Sequence, residues 1–162
     1  MEKKYKLTEE SIKFRLRTLY RIEALKDFVD VKKGDKGGFI EDEYNLSHDG
    51  DSWVCDNAMV YGDAMVCGDA RVYCYARVCG DAWVCGDAKI ENNSDYIVFK
   101  NWWSSGRYFT WTRSNDMWKV GGFYGTGEEL IKKAYQDSEK SGREYERVVK
   151  YIEEIKKENY GK

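Results

Sequence analysis

The sequence predicts a mainly β chain, in which a short left-handed parallel β-helix of about three coils is followed by an α+β carboxy-terminal part. Three observations carry this. Val54, Val60, Val66, Val72, Val78, Val84 and Ile90 recur every six residues without a slip. Alanine follows four residues after each of the first six anchors, at Ala58, Ala64, Ala70, Ala76, Ala82 and Ala88. After Ile90 the repeat stops, and aromatic, β-forming segments give way to two helical patterns.

The period has a physical reading. Each hexad supplies one short strand and one corner, with the aliphatic side chain pointing inward and the small alanine letting the chain bend inside a narrow coil. The corners carry Gly62-Asp63, Gly68-Asp69, Gly80-Asp81 and Gly86-Asp87, with Asp56-Asn57 and Cys74-Tyr75 as variants. Gly, Asp and Asn tolerate the backbone angles a corner demands. Three hexads close one turn, so residues 18 apart should stack at roughly the 4.8 Å strand spacing. A right-handed β-helix lacks this strict six-residue regularity, which is the ground for expecting the left hand.

Upstream, Ile40 and Leu46 continue the period, and an insertion around His48-Asp49-Gly50 separates Leu46 from Val54. The β-helix therefore spans 37–94. Residues 1–36 form an amino-terminal segment in which Thr18–Leu25 alternates with period two and reads as a strand covering the open first coil. Residues 95–162 form a βββαα domain. Its meander runs over about Tyr96–Asn101, Arg107–Arg113 and Met117–Phe123. The two helices each open on a capping box, Thr126 with Glu129 and Ser141 with Glu144.

Two stretches carry a family resemblance. Leu19–Phe28, Val31–Ile40 and Asn45-Leu46-Ser47 resemble the opening of bacterial and phage hexapeptide-repeat proteins of the transferase-like or polymer-forming-like kind. Gly121–Leu130 is similar to a carboxy-terminal cap attached to such repeats in phage proteins. The resemblance implies a left-handed β-helix and a phage or prophage setting, and it supplies no catalytic motif.

Composition narrows the function. A hydrophobic fraction of 42% and an aromatic fraction of 15% argue against disorder. No apolar run is long enough to span a membrane, and the opening residues lack the apolar core of a secretion signal, so the expected compartment is the cytoplasm. The five cysteines all lie in the repeat with no CxxC pair, which predicts reduced thiols, no metal and no cofactor. Net charge is −2 but uneven: residues 1–36 carry +4, residues 37–70 carry −8, and the rest +2. Direct nucleic-acid binding is not expected on that balance. A basic partner surface is, whether on a protein or on a protein–nucleic-acid complex.

Four sites are weighed. His48, beside Asp49, is the one histidine available as the base of a hexapeptide-type acyltransferase. Asp63 stacked on Asp81, and Asp69 on Asp87, offer too few oxygens for calcium. A nucleotide-signal sponge would need a basic pocket, hinted at only by Arg71, Lys89 and Arg77. Met59, Met65, Arg77 and Trp83 point outward on flat faces and are expected to form a homodimer contact.

The expected function is that of a non-enzymatic protein-binding accessory protein, in the phage setting an inhibitor of a host defence such as an anti-CRISPR. Its partner-binding residues are Glu41, Asp42, Glu43, Asp63 and Asp69 on the acidic edge, with Trp102, Trp103, Arg107 and Tyr108 on the aromatic domain.

Overall fold

The computed structural model describes residues 2–160. The chain opens on a long hairpin, β1 (Tyr5–Phe14) and β2 (Arg17–Ala24), followed by β3 (Lys36–Ile40). Seven two-residue strands follow at the hexad anchors: β4 (Trp53–Val54), β5 (Met59–Val60), β6 (Met65–Val66), β7 (Arg71–Val72), β8 (Arg77–Val78), β9 (Trp83–Val84) and β10 (Lys89–Ile90). An antiparallel sheet comes next, from β11 (Tyr96–Lys100), β12 (Tyr108–Thr112), β13 (Met117–Val120) and β14 (Phe123–Gly125). Helices α1 (Gly127–Asp137) and α2 (Glu139–Ile155) close the chain. Among the described residues no helix is long and apolar enough to cross a membrane.

The expectation of a left-handed β-helix of the transferase-like family is corrected here. No such β-helix is evident among the described residues, which form small parallel and mixed sheets plus the antiparallel one. The strands at the anchors are only two residues long, so each ladder is short and separate. One of them is absorbed into a mixed sheet ordered β1-β2-β3-β5-β8, where β3 pairs antiparallel with β2 on one side and parallel with β5 on the other. The others are β10-β7-β4 and β6-β9.

Within these ladders the register is 18 residues. Val60 lies opposite Val78, Val54 opposite Val72, and Val66 opposite Val84. The anchors and the alanines make one apolar core: Val54, Val60, Val66, Val72, Val78, Val84 and Ile90 are all fully buried. The corners stack as well. Gly62 and Gly80 both adopt positive φ, and a Cβ on Gly62 would lie 3.3 Å from the Gly80 nitrogen.

Stacked parallel layers leave unpaired main-chain groups at both ends, and side chains take them up at each. Between layers, N–H groups such as those of Met59, Tyr61 and Met65 donate to carbonyls of Ala76, Val78 and Ala82 at 3.0 Å. The last layer has no layer beyond it. Side-chain oxygens replace the missing carbonyls: Asn93 for Arg77 N–H at 2.7 Å, Tyr96 for Cys79 at 3.3 Å, Thr110 for Trp83 at 2.9 Å, Ser114 for Lys89 at 2.7 Å and Asp95 for Glu91 at 2.8 Å. The first layer needs donors instead. The Tyr5 hydroxyl donates to the Leu46 carbonyl at 2.6 Å, the Lys4 ammonium to Ser52 at 2.7 Å, and the Arg21 guanidinium to Gly37 at 2.7 Å. These bonds occupy main-chain groups at both ends and so oppose pairing with another chain there.

Several local expectations are revised. The amino-terminal strand has a partner, β1, whose charged residues hide its alternation. The meander has four strands rather than three, because Gly121-Gly122 turns the chain back into β14. The Thr126–Glu129 capping box is present, but α2 begins on Ser138, whose hydroxyl accepts the Ser141 N–H at 3.0 Å. Ser141 itself lies in the first turn. Cys67 and Cys85 were expected as free thiols; the stacking brings their Cα atoms to 4.8 Å and a disulfide joins them.

Candidate partner-binding cleft

The acidic residues of 37–70 do not form one open edge. Glu41 is held by Arg17 at 2.7 Å and accepts the Gly62 N–H at 2.8 Å. Asp42 caps the single helical turn Glu43–Asn45, accepting the Tyr44 N–H at 2.9 Å. Glu43 lies between His48 at 2.9 Å and Lys3 at 3.2 Å, and the hydrogen bond from His48 holds its carboxyl below the usual range. Asp69 accepts the Asp51 N–H at 3.3 Å. These residues hold the fold together locally.

His48 has no free ring nitrogen to act as a base. Its Nδ1 accepts the Lys4 N–H at 3.0 Å, which leaves Nε2 to carry the proton towards Glu43. The ring stacks on Tyr5 with centroids 4.2 Å apart. The orienting carboxylate is Glu43, five residues back, rather than the neighbouring Asp49. The imidazole therefore fastens the amino-terminal segment to the first layer.

The four outward residues expected on a homodimer contact lie on two faces. Met59 and Arg77 are opposite one another beneath the β1–β2 hairpin, with Met59 packed among Leu19, Phe39 and Tyr61. The Arg77 guanidinium sits 5.6 Å from the Phe14 ring. Met65 and Trp83 pair on a different ladder, which faces the antiparallel sheet. Of the aromatic residues, Trp103 belongs to the second core. Its ring meets Tyr145 edge-on at 4.9 Å, and its Nε1–H donates to Ser141 at 3.1 Å. Trp102 stays exposed, with Lys140 above its ring at 5.1 Å.

The remaining predicted residues converge. Asp63, Met65, Trp83, Arg107 and Tyr108 line one cleft of about 310 Å³, together with Tyr44, Asp81, Ala82 and Gly121. One wall is the hexad corner, where the stacked glycines place Asp63 and Asp81 side by side. The opposite wall is the start of β12 and the Gly121 turn. Trp83 forms the floor between them. Its main-chain N–H is fixed by Thr110, and Lys119, on the strand beside Thr110, sits 4.4 Å from its ring. Burial there lowers the Lys119 pKa.

Charge in the cleft is not spent internally. Asp87 accepts from Asn115 at 2.9 Å, Asp56 accepts from Cys74 at 2.9 Å, and Asp69 is bonded as above. Asp63 and Asp81 form the corner pair with no bonded partner among the described residues, and Arg107 opposite them likewise has no ion pair there. Two adjacent carboxylates, an aromatic floor and a guanidinium across a gap are chemistry for holding a cationic side chain beside a carbonyl or carboxylate.

Compared with known protein families and with curated proteins, the chain matches neither a family model nor a relative. The resemblance to hexapeptide-repeat transferase-like proteins is therefore withdrawn, together with the phage-type cap. Sequence reasoning missed Tyr44, Gly121 and the place of Asp81, which it had weighed only as part of a calcium column. The Gly121-Gly122 doublet was the available signal, since paired glycines between two β patterns mark a turn where a neighbouring surface can open.

Proposed function

We propose that this chain is a non-enzymatic protein-binding module whose contact surface is the cleft between the Asp63–Asp81 corner and the Arg107–Tyr108 strand. The observation that supports it is the unpaired state of Asp63, Asp81 and Arg107 around the partly open Trp83 ring. Leaving like charges side by side costs stability, so a fold that retains them is better explained by an external cation. The partner surface is basic, and the cleft would take one of its side chains as an anchor. His48, with both ring nitrogens engaged, gives no support to an acyltransferase. Inhibition of a host defence rested on the withdrawn resemblance and has no residue behind it, so the proposal stops at protein binding.

The experiment is affinity capture of partners by the wild-type chain against Trp83→Ala and the double substitution Asp63→Asn, Asp81→Asn. Partners retained by the wild type and lost from both variants support the reading. Partners retained equally by all three place the contact elsewhere and overturn it.

A further inference from the structure

The antiparallel sheet forks beside the cleft. Strand β12 pairs with β13 at Thr112–Met117, Trp111–Trp118 and Thr110–Lys119, and that ladder then stops. On its other side β12 runs on, pairing Phe109 with Phe99 and Tyr108 with Lys100 against β11. Strand β13 meanwhile turns away at Gly121-Gly122, where Val120 pairs with Phe123 of β14. Main-chain groups of successive strand residues point to opposite sides. The Arg107 carbonyl points to β11, where it accepts the Asn101 N–H at 2.8 Å. The N–H and C=O of Tyr108 therefore face the fork, where no strand continues.

The fork is the middle of a trough. The 310 Å³ cleft shares Arg107, Tyr108 and Gly121 with a second cavity of about 180 Å³. That cavity in turn shares Val120, Gly122 and Tyr145 with a third of about 200 Å³, walled by Phe123, Leu130 and Ala134. Shared walls set the three in a row through the fork, from the side of the sheet where Thr110 and Lys119 meet Trp83 to the side where Phe109 and Trp118 pack on the helices. The chemistry changes along the trough: carboxylates at one end, unpaired strand backbone in the middle, and an apolar socket between the sheet and α1 at the other.

We infer that the trough receives an extended peptide segment of the partner, with a Lys or Arg side chain between Asp63 and Asp81 and an apolar side chain against Leu130 and Ala134. The peptide's main chain pairs with Tyr108 and fills the place β13 vacates, as in strand addition to a sheet edge. The charge of the first site and the open backbone of the second select an unfolded cationic segment over a helix, whose main-chain groups are already paired. This deepens the protein-binding reading and rests on it.

The probes are fluorescein-labelled decapeptides on a Ser/Thr/Val background. Each carries one Arg and one Leu at separations of two to six residues, in both orders, and binding is read by fluorescence anisotropy. Saturable binding is expected at one separation and order. It should weaken at least about tenfold with Arg→Glu in the peptide, with Asp63→Asn, Asp81→Asn in the protein, and with N-methylation of the central peptide amides. Both aspartates are exposed and unbonded, so the variant should fold, which an unchanged melting temperature would verify. Binding insensitive to N-methylation would overturn the strand-addition geometry. If no decapeptide binds or competes while a captured protein still depends on Trp83, Asp63 and Asp81, the peptide inference fails and the protein-binding reading survives. Loss of that dependence as well overturns both.

Discussion

The Trp83 main-chain N–H donates to the Thr110 hydroxyl at 2.9 Å, where a carbonyl of a further hexad layer would otherwise lie. The same bond closes the last layer and sets the floor of the cleft, so stability and site geometry meet at one side chain. Thr110 is 1% exposed. Thr110→Val keeps the shape and removes the acceptor, leaving a part-buried N–H unpaired. A loss of about 1–2 kcal/mol is expected in urea unfolding. Ser114→Ala, at the solvent-exposed Lys89 N–H, should cost clearly less. Equal losses would mean that burial plays no part in how these end bonds act.

Lys4 and Tyr5 make stability depend on alkaline pH in opposite directions. Burial lowers the Lys4 pKa from 10.5 to about 8, with its ammonium held by Gly50 and Ser52 oxygens. Between those values the unfolded chain binds more protons than the folded one, so stability rises with pH from about 8 to 10.5, by at most about 3 kcal/mol. Burial, then the charges of Glu43 and Asp42, raise the Tyr5 pKa. Above pH 10 the unfolded tyrosine ionises first and stability falls again. Unfolding midpoints measured across pH 7 to 11 should peak slightly above pH 10, between the two unfolded values. Lys4→Met should flatten the rising limb and leave the fall in place. A wild-type profile that lacks the rising limb and only falls above pH 10 would show that burial does not lower the Lys4 pKa.

Cys67 and Cys85 face each other across one layer, which predicts a thiol count. Denatured without reductant, the chain should present three reactive thiols, those of Cys55, Cys74 and Cys79. After reduction it should present five. Cys67→Ser should present four with or without reductant, since it frees Cys85. Five thiols in the unreduced wild type would mean that the stacked sulfurs stay separate.

The hexad register was legible because it needs only one inward residue per strand and one small corner, and both repeat without error from Val54 to Ile90. The ends were not. Closing the last layer uses single oxygens from Asn93, Asp95, Tyr96, Thr110 and Ser114, five residues of four chemical types at irregular spacing, which no periodicity reveals. The site was half legible for the same reason. Asp63, Met65 and Trp83 are outward positions that the repeat identifies, and Arg107 and Tyr108 stood out as polar-tipped residues in an aromatic run. That they meet depends on how the sheet docks, which the sequence does not encode locally. Glu41, Asp42 and Glu43 were read as charge facing a partner, and the contacts they make within the chain, with Arg17, the Tyr44 N–H and Lys3 with His48, are supplied by the fold.

Assembly follows from the separation of the two outward pairs. With Met59 and Arg77 beneath the hairpin, and Met65 and Trp83 turned to the cleft, no single face joins the four residues on which a homodimer was expected. Light scattering at micromolar concentration should give a mass near 19.0 kDa. Met65→Asp should leave that mass unchanged. A doubled mass that this substitution returns to the monomer would place a second copy of the chain in the cleft.

Asp63 and Asp81 should be dispensable for folding, in contrast to Asp95. Asp95 is 4% exposed, accepts the N–H groups of Glu91 and Asn92 at 2.8 and 2.9 Å, and pairs with Arg113 at 3.2 Å. Asp95→Asn removes the charge from all three bonds and should destabilise by about 1–3 kcal/mol. The cleft pair makes no such bond, and its two charges oppose each other across neighbouring layers. Asp63→Asn, Asp81→Asn should therefore leave stability unchanged or raise it by a few tenths of a kcal/mol, the scale of like charges placed opposite in a sheet. Any gain should shrink as salt is added, because screening already relieves the repulsion between exposed carboxylates. Melting curves at low and high ionic strength measure this directly. A marked loss of stability in the double variant would show that the carboxylates serve the fold, and the case for a cation-binding cleft would go with it.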